Sequence, residues 1–196
     1  MLYLGSAYFR NNKGAKAMHK DVERILYSEE EIKKAVKAVG AEITADYSGK
    51  NPLLVGILKG SVVFMSDLMR EIKLSCDIDF MVAKSYGNAA VSSGNVKILK
   101  DLDTDVTGRD IIIIEDILDS ARTLYSVKAY LMQKNPASLK ICTLLDKKVE
   151  RAFDLKADYK CFDIENEFVV GYGLDYAEKY RNLSYIGVLK REIYEK

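Results

Sequence analysis

Glu115, Asp116 and Asp119 crowd the stretch IIIIEDILDSARTL, residues 111–124, and the three carboxylates are followed at once by Ser120, Ala121, Arg122 and Thr123. Four consecutive isoleucines ahead of them read as a buried strand that stops at a turn and delivers its C-terminal end to a site. A turn that opens a helix exposes backbone N–H groups, which suits an anion such as phosphate. Acids and an anion cradle within ten residues therefore imply a ligand, or a pair of ligands, with two kinds of polar group. The plainer alternative is a strand-to-helix turn in which Asp119 or Ser120 only caps the helix.

The elements that must position these residues follow from the pattern on either side. Ser28 with Glu31 three residues later predicts a capped helix start, and Ile32, Val36, Val39 and Ile43 then share one helical face. The turn signal at residues 48–52 ends that helix. Residues 53–58 form a short apolar strand candidate, followed by Lys59-Gly60-Ser61 and a helical stretch over 62–72. Residues 77–84 alternate as a strand does. Residues 85–95 are rich in Asn, Ala, Ser and Gly and predict a mobile loop. Strand character resumes at 96–102. After the acidic motif, Leu124, Val127 and Leu131 repeat at helical spacing up to Asn135-Pro136, and 139–145 is another apolar strand. Strand, helix, strand at these lengths implies a right-handed crossover and a parallel sheet. Residues 159–164, 168–171 and 185–189 are short strand candidates with no helix long enough to separate them.

The whole chain narrows the function classes. Its 196 residues suffice for one full-sized domain, and 30 basic against 29 acidic residues leave a net charge of +1. That balance gives no overall basic footprint for nucleic acid. No apolar run approaches the ~20 residues that span a bilayer. Cys76, Cys142 and Cys161 are scattered and read as buried small hydrophobes in a reducing, cytoplasmic setting. His19 is the single histidine, which argues against a Ser-His-Asp or Cys-His set and a His-based metal site. Residues 1–17 differ in texture from the rest and read as a poorly ordered extension or an early start codon, leaving 18–196 as a single domain. There is no GxxxxGK[ST], and Gly171-Tyr172-Gly173 lacks the third glycine of a dinucleotide fingerprint. Asp101-Leu102-Asp103 reads as a solvated turn.

The pattern that fits is acid-acid, two apolar residues, acid, then a small-residue loop containing Thr. It resembles the phosphoribosyl-diphosphate (PRPP) signature of type I phosphoribosyltransferases. Four further segments resemble the hypoxanthine-guanine phosphoribosyltransferase family, in order from about residue 18 to 189: Leu58-Lys59-Gly60-Ser61, Ser85-Tyr86-Gly87, Leu144-Leu145-Asp146-Lys147-Lys148, and the run 168–176 with Arg181 following. The resemblance implies an α/β fold with a central, mainly parallel sheet flanked by helices and a small hood lobe built from the chain ends. It also implies a purine-salvage enzyme that moves the 5-phosphoribosyl group from PRPP to hypoxanthine or guanine, giving IMP or GMP and diphosphate. Mg²⁺ is the implied cofactor and a homodimer or homotetramer the implied assembly, with no nucleic acid and no membrane as partner.

Carried over position by position, the resemblance gives each residue a role. Asp119 handles the proton on purine N7. Glu115 and Asp116 hold the ribose hydroxyls, while Asp119, Ser120, Ala121, Arg122 and Thr123 wrap the 5-phosphate. Lys59, Gly60, Arg181 and Arg151 bind the leaving diphosphate. Lys147 reads the 6-oxo group, Phe168 stacks on the ring and the Val169 backbone meets the base edge. Ser85 and Tyr86 begin a lid. Asp175 helps to hold Mg²⁺, with Glu115 and Asp116 as further candidates through the ribose.

Ala121 stands where the family commonly has Gly. If the backbone there is left-handed, Ala costs about 1–2 kcal/mol; if it is right-handed, Ala is harmless. Because Ala still provides the backbone N–H, Ala121→Gly is expected to change PRPP affinity little. Two other readings stay open at this point: a regulator on the same fold that binds nucleic acid with PRPP as effector, and an enzyme that prefers xanthine.

Overall fold

The computed structural model describes residues 18–85 and 96–195. The extension over 1–17 and the lid from Tyr86 onward therefore lie outside the described residues.

Nine strands and four helices follow one another among the described residues. β1 (Val22–Tyr27) leads into α1 (Glu29–Asp46), whose first turn is fixed by the predicted capping box. The Ser28 hydroxyl accepts from the Glu31 backbone N–H at 3.3 Å, and the Glu31 carboxylate accepts from the Ser28 N–H at 2.8 Å. Ile32, Val36, Val39 and Ile43 are all buried on its inner face. β2 (Leu53–Ile57), α2 (Val62–Glu71), β3 (Asp77–Ser85) and β4 (Val96–Lys100) come next. They are followed by β5 (Asp110–Leu118), α3 (Arg122–Met132), β6 (Ser138–Lys147) and β7 (Tyr159–Ile164). β8 (Val169–Val170), β9 (Ile186–Leu189) and the short α4 (Arg191–Tyr194) end the order.

Six strands form one sheet in the order β4-β3-β2-β5-β6-β7, parallel throughout except for the antiparallel edge strand β4. β5 is central, which explains its composition: a parallel strand covered on both faces needs apolar side chains in every position. Ile112 and Ile114 face α1 and α2, whereas Ile111 and Ile113 face α3. Each isoleucine buried in this way contributes about 1.5–3 kcal/mol relative to exposure.

One boundary differs from the sequence reading. The isoleucine strand does not stop at a turn but runs on through Glu115, Asp116 and Ile117 to Leu118. β6 is correspondingly long, and the ladder continues as Glu115↔Thr143, Ile117↔Leu145 and Leu118↔Asp146. Strand pairing overrides the local charge.

The second sheet is small, in the order β1-β9-β8 and antiparallel. It is the hood implied by the resemblance, made from segments near the two ends of the described chain. β1 is an element that the sequence pattern did not reveal. Lys190 N–H donates to the Asp21 carbonyl at 3.0 Å and Tyr180 hydroxyl to the Asp21 carboxylate at 2.9 Å, binding the two ends together. β7, by contrast, joins the main sheet, reached from β6 by a crossover that contains no helix. All three cysteines are free thiols, with Cys142 buried in the core. No helix among the described residues is long and apolar enough to cross a membrane.

Candidate active site

Leu118 and Asp146 are paired on β5 and β6, so the next residues along, Asp119 and Lys147, stand side by side at the strands' C-terminal ends. Lys147 Nζ lies 3.7 Å from Asp119 Oδ2. The lysine side chain is only 13% exposed and the aspartate 52%, so the ammonium is held while the carboxylate faces solvent and an incoming ligand.

The turn from β5 into α3 has no side-chain cap. Ala121 occupies the cap position at φ 64°, ψ −4°, and its methyl group cannot bond to the first-turn amides. The plainer reading of Asp119 or Ser120 as the cap is thereby overturned. Its left-handed backbone also answers the question raised by Ala121: the residue is strained, at a cost of about 1–2 kcal/mol. The loop is held from outside. Ala152 N–H donates to the Ser120 carbonyl at 3.3 Å, and Phe153 stacks on Tyr125 with ring centroids 4.0 Å apart.

Below this turn lies a cleft of about 330 Å³ that gathers Glu115, Asp116, Thr123, Leu58 and Gly60. Gly60 is required by contact rather than by conformation. A Cβ there would fall 1.6 Å from Asp116 Oδ2, and a Cβ on Gly173 would fall 2.2 Å from the Gly60 carbonyl oxygen. The acids are set in an unusual environment. Burial, reinforced by the Asp116 charge, pushes Glu115 well above the ordinary carboxylate range. Burial also raises Asp116 to about 6, although the Ile117 and Asp116 backbone N–H groups and the Arg181 guanidinium oppose it and Asp175 adds to it.

Lys59 and Arg181 come together through a residue that the sequence did not single out. Glu178 Oε2 lies 3.1 Å from Lys59 Nζ and 3.3 Å from Arg181 Nη2. Arg181 Nη2 is also 2.8 Å from Asp175 Oδ1, while Arg181 Nη1 donates to the Gly173 carbonyl at 2.8 Å. The Glu178 N–H donates to Asp175 Oδ2 at 2.9 Å. The only signal in the sequence was a Glu and an Arg three residues apart.

Arg151 is not brought into this group. Its guanidinium pairs with Asp146 and donates to the Leu155 and Lys147 carbonyls, so its contacts tie down the β6–β7 crossover. Phe168 sits in the hood, stacked on Tyr194 at 4.6 Å and edge-on to Tyr176 at 5.5 Å. One ring face is thus covered from within. Val169 is paired with Val188 in the hood ladder. Ser85 ends β3. Asp101 accepts from Tyr130 and from Lys134 at 2.7 Å, and Asp103 pairs with Lys100, so the segment read as a solvated turn is tied by its first aspartate to α3 and the residues after it. Another residue missed is Thr143, a fully buried hydroxyl in the middle of β6.

Comparison with known proteins places this geometry. Residues 24–177 match the family model described as phosphoribosyl transferase domain. A hypoxanthine-guanine phosphoribosyltransferase of Streptococcus agalactiae is 55% identical over 179 residues, 91% of this chain and 99% of that protein. The Streptococcus thermophilus protein of the same name is 54% identical over the same shares of each chain. A crystal structure of a hypoxanthine phosphoribosyltransferase from Staphylococcus aureus superposes with a TM-score of 0.88 at 48% identity, covering 91% of this chain and 97% of the other.

Proposed function

The chain belongs to the phosphoribosyltransferase family, and from that premise we propose that it transfers the 5-phosphoribosyl group of PRPP to hypoxanthine or guanine, releasing diphosphate. The observation that carries this reading is the Asp119–Lys147 pair beside an uncapped helix start. A 6-oxopurine presents O6 and N7 next to each other. An ammonium and a carboxylate 3.7 Å apart complement that edge, whereas adenine offers an amino group to the lysine.

In the reaction, purine N9 forms a bond to the anomeric carbon as the bond to the diphosphate oxygen breaks. Asp119 takes the proton released from N7, a role that typically contributes about 10²–10⁴-fold. Glu115 and Asp116 hold the ribose hydroxyls in the cleft, and the amides and hydroxyls of residues 120–123 receive the 5-phosphate. Lys59 and Arg181 meet the charge that grows on the diphosphate. Phe168 offers the ring face turned away from Tyr194 to the base, and the Val169 backbone meets the base edge.

Mg²⁺ suits the donors present. Among the described residues no three His, Cys, Asp or Glu side chains form a metal cage. Asp175 and Asp116 are nonetheless carboxylates, hard oxygen donors of the kind that one or two at a time hold a magnesium ion shared with substrate phosphates. Asp175 would hold the ion, with Glu115 and Asp116 contributing through the ribose; when bound it neutralises diphosphate charge. The reading carries with it a cytoplasmic enzyme that assembles as a homodimer or homotetramer. Its test is a panel of bases: with PRPP and Mg²⁺, hypoxanthine and guanine should give nucleotide, adenine should not, and a dominant response to xanthine would reassign the base.

A further inference from the structure

Two polar atoms inside the sheet are buried without a hydrogen-bond partner among the described residues, Glu115 Oε2 and Thr143 Oγ1. They are not scattered. Glu115 and Thr143 are partners in the β5–β6 ladder. Two residues earlier, the paired Ile113 and Ile141 both lie in the core cluster under α3. Strand alternation therefore puts Glu115 and Thr143 on that same face, on neighbouring strands roughly 4.8 Å apart. Thr143 is fully buried in a run, Ile141 to Leu145, whose other members are all apolar and buried. A hydroxyl there has no packing advantage over valine, and an unpartnered one destabilises the fold.

We propose that Thr143 is a positioning residue for Glu115: its hydroxyl donates to Oε2 when the carboxylate engages the ribose, leaving Oε1 directed into the cleft. Glu115 lines the cleft with Asp116 and Thr123, so one oxygen can be held from below while the other meets the ligand. Threonine has a single side-chain torsion and glutamate three, so the rotation that completes the bond falls to the glutamate. This inference rests on the proposed function, because it assigns Glu115 to the sugar.

The test compares wild type, Thr143→Val, Thr143→Ser, Glu115→Ala and the Thr143→Val/Glu115→Ala double variant, reading KM for PRPP, KM for hypoxanthine and melting temperature. Thr143→Val should raise KM for PRPP about 10-fold and leave KM for hypoxanthine within about twofold. Thr143→Ser, which keeps the hydroxyl, should restore KM for PRPP. In the Glu115→Ala background, where the hydroxyl has lost its acceptor, the valine should have little further effect on KM for PRPP, because the two residues act as one unit. Should the valine variant fail to fold, Thr143→Ala against Thr143→Ser gives the same comparison. The inference is overturned if an active wild type and Thr143→Val share the same KM for PRPP, or if valine acts equally in both backgrounds. A wild type that makes no nucleotide with any base removes the proposed function itself, and this inference with it.

Discussion

Lys147 Nζ stands 3.7 Å from Asp119 Oδ2 because the strands that carry them are in register, Leu118 opposite Asp146. The pair is thus a product of sheet geometry: each side chain is the next residue at the C-terminal end of its strand. The lysine is packed and the aspartate is open, a division that suits the roles proposed for them, reading the base and moving its proton.

Asp119→Asn keeps the size of the side chain and removes its basicity. Turnover should fall by about 10²-fold or more while PRPP binding stays near wild type, read by steady-state kinetics beside direct titration with PRPP. Near-normal turnover would remove Asp119 from proton transfer.

Lys147→Ala should raise KM for hypoxanthine and guanine while leaving KM for PRPP within about twofold. Unchanged hypoxanthine affinity would mean that another group reads the 6-oxo oxygen.

Asp116 is raised from 3.8 to about 6 by its burial. The folded chain therefore holds more protons than the unfolded one between about pH 4 and 6, so stability falls as pH rises through that window and the whole penalty is present above it. Asp116→Asn should raise the melting temperature by a few degrees at pH 8 and not at pH 4, while weakening PRPP binding. Equal melting temperatures at pH 8 would show that the carboxylate is not under strain.

Glu178 bridges the cations assigned to diphosphate, Lys59 and Arg181, and must share them when that anion arrives. Lys59 and Glu178 are both about two-thirds exposed, so the effect is modest. Glu178→Gln should lower KM for PRPP about twofold at low ionic strength, with the difference fading as salt is added. A rise in KM would instead make Glu178 part of the binding machinery.

Ala121 holds a left-handed backbone at φ 64°. Glycine removes that strain but loses more entropy on folding, leaving a net gain of about 1 kcal/mol and a melting temperature about 2–4 °C higher. PRPP affinity should change little, because residue 121 keeps its amide and the strain is present with and without ligand. Calorimetry and PRPP titration of Ala121→Gly separate the two quantities.

Much of this was legible in residues 28–31 and 111–124, where the capping box and the isoleucine run state their structure locally. The extent of β5 was not, because Glu115 and Asp116 look like turn residues until β6 supplies partners for them. β1 was not legible either: its burial pattern has no clean alternation, and its partner β9 lies far along the chain. The handedness at Ala121 depends on how the chain must turn from β5 into α3, which neither neighbour encodes. Glu178 and Thr143 escaped notice for opposite reasons, one as an ordinary surface charge and the other as an ordinary strand residue. Each acquires meaning only from what the fold sets beside it.

The most direct measurement is turnover of the wild-type chain with PRPP, Mg²⁺ and hypoxanthine, following IMP and diphosphate together. Both products should form in equal amounts, with guanine giving GMP in the same way. PRPP binding without product from hypoxanthine, guanine or xanthine would overturn phosphoribosyl transfer to a 6-oxopurine.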